Sequence, residues 1–129
     1  MKLIFFINCI ILVLIVSCKK STPETYNSVQ WNMNRVEGVT SGSLNQTITL
    51  TVYYPTSSGC DVFDKFEQSI QDKIVSIKAY GHTVTSNFCT DAAIERNATF
   101  SFKSTSTGPF ELRFINKDNS YFTHNLTIN

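Results

Sequence analysis

The chain is poor in the residues from which catalytic and cofactor motifs are built. Its 129 residues include two histidines, one tryptophan, five glycines and three prolines. The glycines are too scattered for a phosphate-cradling G-x-x-x-x-G-K-[ST] loop or a dinucleotide-binding G-x-G-x-x-G turn. A G-x-S-x-G nucleophile elbow and an H-E-x-x-H metal helix are also missing. There is no C-x-x-C, and no histidine lies within four residues of Cys60 or Cys89, which argues against a zinc site. The formal net charge is only +1, so no basic face is expected and nucleic acid is excluded as a partner. No apolar run reaches the roughly 20 residues of a membrane-spanning helix.

What the sequence does have begins at its first residues. Lys2 is followed by an apolar run from Leu3 to Val16, broken only by Asn8, and the run closes on Ile15-Val16-Ser17-Cys18. The length fits the hydrophobic region of a signal peptide. The ending resembles a lipobox, an aliphatic residue and a small residue before cysteine. That resemblance implies a lipoprotein signal peptide over residues 1–17, cleavage before Cys18, lipid on the Cys18 thiol and acylation (palmitate among the chains) of the new amino terminus. Several acyl chains hold a protein to a bilayer where one would not, at about 0.8 kcal/mol per buried methylene. Residues 18–28 then form a polar tether with Lys19 and Lys20 beside the headgroups and Pro23 within it. The residue after Cys18 is not aspartate and the first acid is Glu24, which favours the outer membrane with the domain in the periplasm.

The four cysteines do not form one set. Cys9 leaves with the leader and Cys18 carries lipid, so the domain keeps Cys60 and Cys89 in an oxidising compartment. A Cys60–Cys89 disulfide is expected, closing a loop of about 30 residues and restricting the unfolded chain by roughly 3–4 kcal/mol. Without Lys2 the chain has ten basic and ten acidic residues.

Residues 29–129 read as a single β domain. Val29, Trp31 and Met33 alternate with polar residues, and a turn-rich break follows over Gly38–Gly42. In 46–54, Ile48, Leu50, Val52 and Tyr54 point one way and Thr47, Thr49, Thr51 and Tyr53 the other. Residues 61–72 are ambiguous: Phe63, Phe66, Ile70 and Ile74 fit helical spacing, with Asp61 as a cap, while the surrounding pattern favours a strand or crossover. Residues 73–80 read as a strand closed by Gly81, and 83–88 as a weaker one ending at Cys89. Phe100 and Phe102 share a face, Gly108-Pro109 reads as a turn, and Phe110, Leu112 and Phe114 share the next face. A turn at 116–119 leads to Phe122, His124, Leu126 and Ile128. About seven short strands separated by turns predict an all-β antiparallel sandwich.

The pattern Gly59-Cys60, Phe63, Phe66, Cys89-Thr90, Thr99-Phe100-Ser101-Phe102, Gly108 and Phe110-Glu111-Leu112-Arg113-Phe114 resembles small immunoglobulin-like lipoproteins of the Bacteroidota. The likeness implies an immunoglobulin-like sandwich and an envelope location, with no activity attached.

No catalytic site, metal site or cofactor is expected. Asp61, Asp64 and Glu67 cluster near Cys60, and Asn116, Asp118 and Asn119 near a turn, but neither group offers the six to eight oxygens of a calcium site. His82 reads as a loop residue and His124 as half-buried. A hydrolase would have to assemble Ser58, Asp61 and His82 from separate segments. Asn45, Asn97 and Asn125 sit in N-x-[ST] sequons that a bacterial lipoprotein leaves unmodified. Trp31, Tyr53 and Tyr54 are the aromatic residues a sugar would stack on, with Tyr53 on the outward, threonine-rich face. The expected function is a noncatalytic binding or accessory module of the envelope, with an envelope protein or glycan as partner. The alternative is an immunoglobulin-like protease inhibitor presenting loops 55–59, 81–83 and 104–109.

Overall fold

The computed structural model describes Tyr26–Asn129; the leader, Cys18 and most of the tether lie outside the described residues. Nine strands form in order: β1 Val29–Trp31, β2 Arg35–Gly38, β3 Ser41–Gly42, β4 Thr47–Pro55, β5 Asp61–Gln71, β6 Ile74–Thr83, β7 Glu95–Lys103, β8 Gly108–Ile115 and β9 Tyr121–Ile128. No helix occurs among the described residues. The strands build two sheets, as in a β-sandwich: β2-β4-β7, and a six-stranded sheet containing β1, β3, β5, β6, β8 and β9.

Strand β6 organises the larger sheet. One edge pairs along its length with β5. The other edge is shared, with β8 running beside Ile74–Ile77 and β1 beside Ala79–Gly81. The β6–β8 and β3–β9 pairings are parallel, so the larger sheet is mixed where the sequence pattern predicted antiparallel strands throughout; the small sheet is antiparallel. The parallel β6–β8 pair is joined by the long excursion through the other sheet, as a parallel connection requires.

Period-two burial supplies the core. Ile48, Leu50, Val52 and Tyr54 of β4 face Val75, Ile77 and Ala79 of β6, Phe100 and Phe102 of β7, Phe110, Leu112 and Phe114 of β8, and Leu126 and Ile128 of β9; all are buried. A chain of rings runs through the interior from Trp31 to Tyr54, Phe63, Phe66, Phe100, Phe114 and Phe122, with successive centroids 4.7–5.9 Å apart. Such offset and edge-on pairs add to area burial. Burial pushes the Tyr54 phenol up.

Residues 61–72 take the strand form that the surrounding pattern favoured, β5 extending to Gln71. Three local expectations change. Gly81 does not close β6 but lies inside it, and glycine is required there because a Cβ would overlap the six-membered ring of Trp31. Residues 84–88 are not a strand: the chain leaves β6 after Thr83, and Phe88 turns out to solvent. Similarly, Gly108 opens β8 with φ of 113°, and the turn lies before it.

Candidate functional site at the disulfide-closed end

One end of the sandwich collects the C-terminus of β4, the N-termini of β5 and β7, the C-terminus of β6 and the turn between β8 and β9. The chain arriving from Cys18 meets the domain at this same end. Tyr26 stacks on His82 with centroids 4.4 Å apart, and the Ser28 hydroxyl donates to Asp64 Oδ2. Asp64 Oδ1 is 2.7 Å from His82 Nδ1, and both side chains are largely shielded from solvent. A β-bulge between Phe63 and Lys65 carries Asp64, and bulges re-aim side chains in this way.

The loop between β4 and β5 is tied around the buried Asp61. Its Oδ2 accepts from the Ser57 N–H (2.7 Å), the Ser58 N–H (3.0 Å) and the Ser57 hydroxyl (3.1 Å); its Oδ1 accepts from the Thr83 hydroxyl (2.6 Å). Burial by itself pushes the Asp61 carboxyl up, but these bonds outweigh it and hold the group below the usual carboxylate range. Arg96 clamps the same loop from β7, donating to the Asp61 and Gly59 carbonyl oxygens at 2.8 and 2.9 Å.

The adjoining loop, residues 84–94, is closed by the Cys60–Cys89 disulfide, with Cα atoms 5.4 Å apart. The Gly59 N–H donates to the Thr90 carbonyl and the Thr56 N–H to the Ile94 carbonyl. Phe88, next to the disulfide, is 94% exposed. An open cleft of about 410 Å³ lies at the same end, lined in part by Gln30, Trp31, Asn32, Ser57, Asp61 and Lys117.

No family model, curated protein or solved structure matches this chain.

The residues singled out in the sequence fall into separate structural roles. Ser58, Asp61 and His82 do not form one constellation: the Ser58 hydroxyl accepts from the Cys60 N–H, Asp61 binds Ser57, Ser58 and Thr83, and His82 turns to Asp64. The acidic cluster also separates, since Asp61 points inward, Asp64 meets His82 and Glu67 pairs with Lys65 at 2.6 Å. Asp118 accepts from the Ser120 N–H and hydroxyl inside its turn, which holds its carboxyl low. His124 Nε2 meets the Val39 carbonyl at 2.9 Å. Asn45 sits at φ 63° in the turn before β4, and Asn97 and Asn125 are exposed on β7 and β9. Tyr54 is core, and Trp31 is a half-buried plug over Gly81. Tyr53 is covered by Arg35, whose guanidinium carbon is 3.3 Å from the ring centre, and its hydroxyl donates to Glu37. Of the three loops an inhibitor would present, 55–59 and 81–83 lie at the disulfide-closed end, with 81–83 inside β6, while 104–109 lies at the opposite end.

The sequence reading missed the Asp64–His82–Tyr26 contact and the exposure of Phe88. The available signal for Phe88 was its setting: Thr85, Ser86 and Asn87 precede it without a partner apolar position.

Proposed function

We propose that this protein is an envelope lipoprotein, acylated at Cys18 and held at the periplasmic face of the outer membrane. Its sandwich serves as a noncatalytic binding or accessory module, with the disulfide-closed end as the recognition surface. We read the sandwich as immunoglobulin-like in the broad sense of two packed sheets with loops gathered at their ends, the parallel β6–β8 pair being its departure from that plan. The observation that carries the reading is Phe88, an aromatic side chain almost fully in solvent on a covalently closed loop. An aromatic residue presented by a preorganised loop can bury a large apolar area at little ordering cost, as binding anchors do.

Chemical crosslinking of the full-length protein in intact envelopes tests this. Adducts of any class that are lost in Phe88→Ser, while Cys18 stays acylated by mass spectrometry, support the reading. Unchanged adducts in Phe88→Ser refute the recognition surface, and an unmodified Cys18 refutes the anchor.

A further inference from the structure

Resting on that reading, we infer that the surface contacted by the disulfide-closed end is the bilayer itself, and that Phe88 enters its interfacial layer.

Tyr26 lies eight residue steps after Cys18, and a fully extended chain covers at most about 26–29 Å over that number. Tyr26 is fixed against His82, near the C-terminal end of β6, and Ser28 is fixed against Asp64. From His82 to Ile74, at the opposite end of the sandwich, β6 takes eight residue steps, about 26 Å. With Tyr26 docked, only a tether stretched straight along the domain would bring the far end to the membrane, whereas a flexible chain of eight residues has an end-to-end distance of roughly 14–17 Å. The disulfide-closed end, or the flank beside it, is therefore the part held nearest the lipid.

Composition then selects the end. The loop from Val84 to Ile94 has a single charged residue, Asp91, and Phe88 stands out from it. Val62 and Ile94, both more than 40% exposed, belong to the segments on either side of the disulfide. The outer faces of the strands at the flank instead carry Lys65, Glu67 and Lys78, whose charges stay in water or at the headgroups rather than entering the interfacial layer. An aromatic ring at the headgroup level is a favoured membrane anchor, and a tethered domain pays almost none of the cost of first reaching the surface. The Cys60–Cys89 bond keeps the ring presented at the loop tip.

The test places a photoreactive benzoylphenylalanine at position 88 of the full-length, acylated protein, and at Thr105 on the opposite end as the control. Both proteins are irradiated in the envelope and in vesicles of phosphatidylethanolamine and phosphatidylglycerol. Phospholipid adducts at 88 exceeding those at 105 by about fivefold or more, as expected for a ring moved from water to the interface, bear out the inference. Adducts at 88 formed only with a protein or a glycan overturn it while leaving the recognition surface standing. Equal lipid labelling at the two positions overturns the orientation. A Cys18 without lipid, read from the same mass spectra, removes the anchor and the inference with it. Because Phe88 is in solvent, substitution there leaves the fold intact.

Discussion

The hydrogen-bonded knot at Asp61 makes a quantitative prediction. Asp61→Ala deletes the acceptor of four hydrogen bonds and strands the Ser57 and Ser58 N–H groups beneath the loop. A buried donor left unpaired costs about 1–3 kcal/mol, and this site opens on a cleft that admits water, so the low end applies to each. The expected loss is about 2 kcal/mol, or roughly 8–16 °C in Tm at 4–8 °C per kcal/mol. Asp61→Asn preserves the shape: one amide oxygen can take the Ser57 and Ser58 donors while the amide nitrogen meets the Thr83 hydroxyl as acceptor. It sacrifices only the charge assistance, about 1 kcal/mol. The two variants also separate with pH. The folded carboxyl lies below its unfolded value of about 3.9, so its contribution is complete above that pH and is lost as pH falls through the folded value. Asp61→Asn has no proton to take up, and its stability deficit should shrink on acidification below about pH 4. Urea titrations of the mature protein in detergent, followed by Trp31 fluorescence, measure both effects. A loss below about 1 kcal/mol in Asp61→Ala, or a deficit in Asp61→Asn that is the same at acid and neutral pH, would refute the role assigned to this carboxylate.

Gly81→Ala drives a methyl into the Trp31 ring, and the strain of such overpacking, about 1–3 kcal/mol, should be accompanied by a change in Trp31 emission; native stability with native emission would contradict the packing. Reducing the Cys60–Cys89 bond should lower unfolding stability by roughly 3–4 kcal/mol, measured from the midpoints and slopes of urea titrations with and without dithiothreitol; equal stability in the two would contradict it. Phe114→Ala empties the centre of the ring chain and should cost about 3–5 kcal/mol, whereas Phe88→Ala should fall within about 0.5 kcal/mol of the parent; near-equal values for the two would contradict the burial assigned to them.

Most of the fold was written in alternation. The inward residues of β4, β8 and β9 follow directly from a period of two, since each β-branched or aromatic position there is paired with a polar one facing water. The disulfide was legible because assigning Cys9 to the expected leader and Cys18 to the expected lipid left only Cys60 and Cys89 to pair. The order of the strands was not, and nothing local distinguishes a β6 that pairs with β8 in parallel from one that pairs with it antiparallel. That choice depends on which route the chain takes through β7, a matter of global packing.

The ambiguous segment was β5, and its ambiguity and the hidden contact at His82 have the same cause. Phe63 and Phe66 are three residues apart, which is a helical interval, yet both face the core from a strand. The bulge at Asp64 reconciles the two: Phe63 lies opposite Gly81 and Phe66 opposite Ala79, so one extra residue is absorbed between two positions on the same face. Without that extra residue, a strand would send Phe63 and Phe66 to opposite faces, and one ring would be lost from the core. The residue so absorbed, Asp64, leaves the ladder and turns to His82 and Ser28. A spacing of three aromatics in an otherwise alternating sequence is thus a bulge signal when the flanking segments are strands. The residue inside the interval is then the one to examine for an unusual contact. Here it is the residue that, with His82, helps hold the segment entering β1 at the disulfide-closed end, where Tyr26 stacks on the imidazole and Ser28 donates to the carboxylate.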